Sequence, residues 1–153
     1  VHRLISLLIA ATLLGGSVAA SALDWPHPES GTRSALLPAA QAFEFIGARV
    51  EHRRLRLSWR IAPGYYLYRD RIHVRVLTPS SASLGAATLP PAVEVDEPGL
   101  GEVAVYHGAL TIDYALAASA PTPKTIEVEY QGCAEIGVCY QPQTHRLDLT
   151  NQD

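Results

Sequence analysis

No residue of the chain is methionine, so a copper site built on thioether sulfur is excluded. Basic residues are not in surplus: 12 Lys and Arg stand against 15 Asp and Glu, for a formal charge of −3. That balance offers no electrostatic footprint for nucleic acid and no polybasic patch for a membrane surface. Beyond the first segment no apolar run approaches the roughly 20 residues that a spanning helix requires. The spacing of an amphipathic helix is also missing, as are internal repeats and low-complexity tracts. Cysteine is scarce too, with two residues in a chain of 153.

What is present suits one domain with one core, since 48% of the residues are hydrophobic. The first segment is of another kind. His2 and Arg3 precede an apolar run from Leu4 to Leu14, and small residues follow, ending in Ala20-Ser21-Ala22. This order predicts a secretory signal peptide over residues 1–22, cleaved after Ala22. A membrane anchor fits less well, because Gly15, Gly16 and Ser17 interrupt the run. The mature domain, residues 23–153, then carries a formal charge of −4 and is expected to be soluble, not membrane-spanning, in an oxidising compartment where disulfides persist.

Leu23 to Gln41, with Pro26, Pro28 and Pro38, reads as an irregular lead-in, and the first regular element is expected near Ala42 to Ile46. The clearest strand follows: Leu55, Leu57, Trp59 and Ile61 alternate with Arg54, Arg56, Ser58 and Arg60, which is period two. Pro63-Gly64 turns the chain into Tyr65 to Tyr68, and Ile72, Val74 and Val76 mark another strand before a loop over Pro79 to Ser83. Pro90-Pro91 and Asp96 to Gly101 read as an irregular region leading to a short strand at Val103 to Tyr106. His107-Gly108 then reads as a hairpin turn into Leu110, Ile112, Tyr114 and Leu116. After Pro121 and Pro123 come Ile126, Val128 and Tyr130 with Glu127 and Glu129 between them; His145, Leu147 and Leu149 alternate likewise further on. Short strands between Pro and Gly punctuation predict an all-β fold, an immunoglobulin-like antiparallel sandwich of about seven to nine strands.

The cysteines lie between the last two of these strands, in Tyr130-Gln131-Gly132-Cys133-Ala134-Glu135-Ile136-Gly137-Val138-Cys139-Tyr140. They are too close in sequence to join the two sheets of a sandwich, so their role is local. A staple closing this hairpin would stabilise by only about 2–2.5 kcal/mol on loop entropy. Gly132 and Gly137 let another backbone come close, as an exchangeable bridge needs. The spacing leaves staple and exchange both open. A metal site fits poorly: closed zinc takes four ligands, and these cysteines match no finger or ribbon. The nearest histidine is His145, while His27, His52, His73 and His107 are scattered and read as surface residues.

Asp96 and Glu97 form an acidic pair before Pro98-Gly99, where a solvated turn is the ordinary reading. Placed over the cysteines, these carboxylates would disfavour thiolate formation. Tyr65, Tyr66 and Tyr68 read as core or rim aromatics.

The cysteine motif, together with Gly64-Tyr65-Tyr66-Leu67-Tyr68-Arg69 and Val105-Tyr106, resembles the N-terminal periplasmic domain of DsbD, the thiol:disulfide interchange protein of Gram-negative bacteria. The likeness runs from about Leu36 to Leu149. It implies a periplasmic immunoglobulin-like domain carrying a redox-active dithiol, with no cofactor beyond the sulfurs. Electrons would arrive from a thioredoxin-like donor domain and pass to a disulfide isomerase and to thioredoxin-like proteins of cytochrome c maturation. The resemblance implies that Cys139 forms mixed disulfides and Cys133 resolves them, beside Asp96, Glu97, Tyr66 and Tyr68. Where the family carries an aromatic cap residue after the acidic pair, this chain has Pro98-Gly99-Leu100, which makes Leu100 the candidate lid. The donor is expected either in cis, in a longer protein, or in trans. The competing class is a non-catalytic binding module of the same fold with an inert bridge.

Overall fold

The computed structural model describes residues 35–150. The expected signal peptide, its cleavage after Ala22 and most of the proline-rich lead-in lie outside the described residues. A single helical turn, α1 (Ala39–Ala42), opens the described chain and runs directly into β1 (Phe43–Glu51). The element expected near Ala42 to Ile46 is thus the start of a longer strand, bulged between Phe45 and Gly47. Then follow β2 (Arg54–Ile61), β3 (Tyr65–Tyr68), a 3-10 turn (Arg69–Arg71), β4 (His73–Thr78), β5 (Ala87–Thr88), β6 (Val93–Glu97) and β7 (Gly101–Tyr106). The chain continues through β8 (Ala109–Ala115), β9 (Thr125–Tyr130), β10 (Gly132–Ala134), β11 (Val138–Cys139) and β12 (Gln143–Asp148). Twelve strands among the described residues exceed the seven to nine expected, in part because β5 and β11 have two residues each and β10 three.

All pairings are antiparallel, in three sheets with orders β1-β2-β8-β5, β11-β10-β3-β7-β6 and β12-β9-β4. The alternation of β2 behaves as its sequence demands: Leu55, Leu57, Trp59 and Ile61 are buried while the arginines face out. Arg56 lies opposite Asp113 of β8 and binds its carboxylate through two nitrogens, each at 2.8 Å. Inside, Trp59 meets Tyr130 of β9 edge-on at 5.8 Å, so the first sheet packs against the third across a common core. The result is an immunoglobulin-like antiparallel sandwich.

Two stretches differ from what the sequence predicts. Asp96 to Gly101 is not an irregular region: β6 and β7 pair from Val93↔Val105 to Glu97↔Gly101, and Pro98-Gly99-Leu100 is the tight turn between them. Proline and glycine mark the turn, but only Val95 of β6 packs inward, too little alternation to announce a strand. Nor is His107-Gly108 a hairpin turn. Tyr106 ends a strand of the second sheet and Ala109 begins one of the first, so the pair is a crossover between sheets.

The strand that positions the site is β3, all four residues of which are buried. Tyr65 and Leu67 point into the main core, whereas Tyr66 and Tyr68 point to the opposite face, where they cluster with Val105 and Cys133. β10 repeats this division, with Ala134 in the main core and Cys133 in the second cluster. A strand covered on both faces reads as an unbroken apolar run, which is why Tyr65-Tyr66-Leu67-Tyr68 shows no alternation.

Candidate functional site

Strands β9 and β12 pair with each other, from Gln143↔Tyr130 to Asp148↔Thr125. Between them the chain leaves that sheet, forms the β10–β11 hairpin on β3 and returns. Cys133 and Cys139 are directly opposite in the hairpin and joined by a disulfide. Two glycines make it possible. Gly137 has φ +85°, a left-handed turn conformation that costs glycine little. Gly132 lies so close to β3 that a Cβ there would sit 2.2 Å from the Tyr66 carbonyl oxygen. The close approach that Gly132 permits is therefore that of the chain's own strand.

The two sulfurs differ in access. Cys133 is 0% exposed, whereas Cys139, on the outer strand, is exposed. The Tyr68 hydroxyl lies 3.1 Å from the sulfur of Cys133 and 3.8 Å from that of Cys139. Disulfide sulfur carries no proton, so the tyrosine is the donor. Tyr66 meets Tyr68 edge to face at 5.4 Å and donates its own hydroxyl to Glu97 Oε2 at 2.6 Å. Burial, and then the bond to Glu97, push the Tyr66 phenol well above its ordinary range; burial does the same for Tyr68. Both remain hydrogen-bond donors wherever thiols titrate.

A carboxylate oxygen of Glu97 and the two sulfurs all lie within 4.8 Å of one another. Sulfurs bonded to each other are not thiolate ligands, and the trio falls short of the four that a closed zinc site takes. Asp96, the next residue along β6, is exposed and lines the neighbouring groove. Pro98 and Gly99 form the turn, with Gly99 at φ +85°. Leu100 is 56% exposed and lies outside the apolar cluster around Cys133, whose members besides the tyrosines are Val95, Val103 and Val105. Beside the bridge, then, stand the Tyr68 hydroxyl and the Glu97 carboxylate.

A groove of about 520 Å³ runs beside the bridge. Its lining includes three residues the sequence reading passed over or left among the surface: His107, Glu135 and Ile136. His107 lies with Nδ1 3.1 Å from the Tyr65 carbonyl oxygen and 3.6 Å from Glu135 Oε1. Ile136, at the hairpin tip, is 75% exposed. Its signal was readable, since an isoleucine between Glu135 and Gly137 in a tight turn has no strand face to bury it. Nothing local marked His107, which reaches the groove through the crossover. His145 has a structural place, its ring stacked on Tyr130 and Nε2 2.9 Å from that hydroxyl.

Fold and bridge together define a class: immunoglobulin-like sandwiches with a partly exposed disulfide in a local hairpin. Residues 33–151 match the family described as thiol:disulfide interchange protein DsbD, N-terminal. The chain is 38% identical over 149 residues, 97% of its length, to the thiol:disulfide interchange protein DsbD of Cronobacter sakazakii. It is 35% identical over 147 residues, 96% of its length, to DsbD 2 of Pseudomonas aeruginosa. It spans 24% of the length of each of these relatives. Among solved structures it resembles the Neisseria meningitidis DsbD N-terminal domain in the reduced form, with TM-score 0.67 and 30% identity over 78% of this chain and 94% of that one. It also resembles a structure of the complex between the DsbD N-terminal and PilB N-terminal domains from the same organism, with TM-score 0.66 and 29% identity over 77% of this chain and 90% of that one. The chain belongs to the DsbD N-terminal domain family. No helix among the described residues is long and apolar enough to cross a membrane.

Proposed function

We propose that this is a periplasmic disulfide reductase domain, exported behind residues 1–22, that relays two electrons from a thioredoxin-like donor domain to disulfide-containing clients. The clients implied by the family are a disulfide isomerase and thioredoxin-like proteins of cytochrome c maturation. The observation that carries the reading is the unequal access of one bonded pair, Cys139 being exposed and Cys133 fully buried. A structural staple gains nothing from showing one sulfur to solvent. An exchanging bridge needs one sulfur that a partner thiolate can reach and one that cannot be captured. A related DsbD N-terminal domain has been solved in complex with another protein domain, which supports partner docking as a habit of the family.

In this reading the donor thiolate attacks the sulfur of Cys139, and the bond to Cys133 breaks with its electron pair on Cys133. The leaving sulfur faces the Tyr68 hydroxyl, whose hydrogen bond steadies the developing charge before a proton arrives. A second donor thiol then attacks its partner in the mixed disulfide, leaving as a disulfide and freeing the reduced pair. With a client the order reverses: Cys139 attacks the client disulfide, and Cys133 resolves the intermediate. The sulfurs are the redox group, so no cofactor takes part and no nucleic acid is involved. Glu97 and Tyr66 stand beside the reacting atoms, Asp96 lines the neighbouring groove, and the Pro98-Gly99-Leu100 turn borders the approach.

Trapping tests this directly. Cys133→Ala is expected to accumulate a mixed disulfide between Cys139 and a thioredoxin-like donor or an isomerase client, and Cys139→Ala to accumulate none. Equal trapping by both variants, or by neither, would overturn the assignment.

A further inference from the structure

Next to the exposed Cys139 stands Tyr140, and several contacts hold it, among them its ring against that of Tyr65 at 6.2 Å. The Tyr140 N–H donates to the Gly132 carbonyl at 3.0 Å, and its own carbonyl accepts from Gln131 Nε2 at 2.9 Å. Its ring meets Phe43 edge-on at 5.2 Å. Its hydroxyl donates to the carbonyl oxygen of Leu37 at 2.6 Å. The same Leu37 donates its N–H to the hydroxyl of Tyr65 at 2.8 Å. Tyr65 opens β3, the strand on which the cysteine hairpin lies, and its backbone pairs with Ala134. One peptide segment, 103 residues from Tyr140 along the chain, therefore ties the outer arm of the hairpin to the strand beneath the inner arm.

While the bridge is closed, a covalent bond already keeps Cys139 opposite Cys133. Once it is open, only non-covalent contacts do. The reduction potential of such a pair measures how concentrated each thiol is for the other, because forming the bridge costs less when the open thiols are already held together. We propose that the Leu37 clasp holds Cys139 over Cys133 during the interval in which the bridge is open, which makes Tyr65 and Tyr140 positioning residues for thiol–disulfide exchange. This rests on the exchange reading above. Neither hydroxyl touches the sulfurs; both act through the hairpin.

The test equilibrates the whole chain with mixtures of reduced and oxidised glutathione and counts free thiols after trapping. Each cycle balances: one glutathione thiolate bonds to the sulfur of Cys139 and releases Cys133, which takes a proton. A second attacks the glutathione sulfur, giving oxidised glutathione and the Cys139 thiol. Tyr140→Phe keeps the ring and loses the clasp. It is expected to lower the effective concentration of the pair about tenfold, which raises the potential by about 30 mV. Tyr65→Phe is expected to shift it in the same direction, and serves alone if Tyr140→Phe does not fold. Tyr106→Phe removes a hydroxyl that bonds the Pro90 carbonyl at 3.3 Å, away from the hairpin, and is expected to leave the potential unchanged. If the wild-type bridge exchanges but all potentials coincide, the clasp has no such role and the exchange reading stands. If the wild-type bridge does not exchange with glutathione at all, both fall.

Discussion

At the sulfurs the balance of neighbours is one hydroxyl donor and one negative charge. Tyr68 favours charge on sulfur by donating to it, while the Glu97 carboxylate, within 4.8 Å of both sulfurs, opposes it. Glu97→Gln keeps the shape and removes the charge. The reduced domain should then react with a neutral alkylating agent at pH 7 about threefold to tenfold faster. Asp96→Asn should change that rate less, because Asp96 lines the groove without joining the sulfur cluster. An unchanged rate in Glu97→Gln would mean that the carboxylate does not govern thiolate formation. Cys133, Cys139, Tyr66, Tyr68 and Glu97, the residues the motif singles out, lie beside one another in space. The motif could not weigh Glu97 against Asp96, because adjacent residues of a strand face opposite ways and only the pairing of β6 decides which one looks at the bridge.

Among the elements, the cysteine hairpin depends most on the closeness of β10 to β3. A methyl at residue 132 would meet the Tyr66 carbonyl at 2.2 Å and the Phe43 ring at 2.7 Å. The first of these is backbone and cannot turn aside. Gly132→Ala is accordingly expected to destabilise the domain by about 3 kcal/mol and to loosen the approach of Tyr68 to Cys133. Thermal unfolding measures the first effect, and a midpoint equal to wild type would refute it. Strands β2 and β9 are legible because each buries alternate side chains on one face. β6 is not, since it is an edge strand whose Val93 is 54% exposed. The crossover at His107-Gly108 was misread for a related reason. A glycine between two alternating runs looks alike whether the chain folds back on its neighbour or passes to another sheet.

For the whole molecule, the bridge and the core are nearly independent. The main core draws on β1, β2, β3, β8 and β9, with Tyr106 of β7 and Ala134 of β10, and contains neither cysteine. A loop as short as that between Cys133 and Cys139 contributes about 2–2.5 kcal/mol when closed. Reduction should therefore lower the melting temperature by several degrees and leave the β-sheet spectrum at room temperature unchanged. Loss of that spectrum on reduction would show that the bridge holds the sandwich together. Alternation along the chain reveals the class of fold, because it reports which residues face a core. It does not report which strands are partners, so the division into three sheets had to come from the structure.

Val138–Cys139 is the outermost strand of its sheet and has two residues. A sulfur that exchanges with other proteins, as proposed above, must stand where foreign chains can come near, and a sheet margin is also where stray chains stack and grow into fibrils. So short a margin leaves too few open N–H and C=O groups to template an incoming segment. The domain can keep its sulfur within reach of passing proteins without becoming a seed for aggregation.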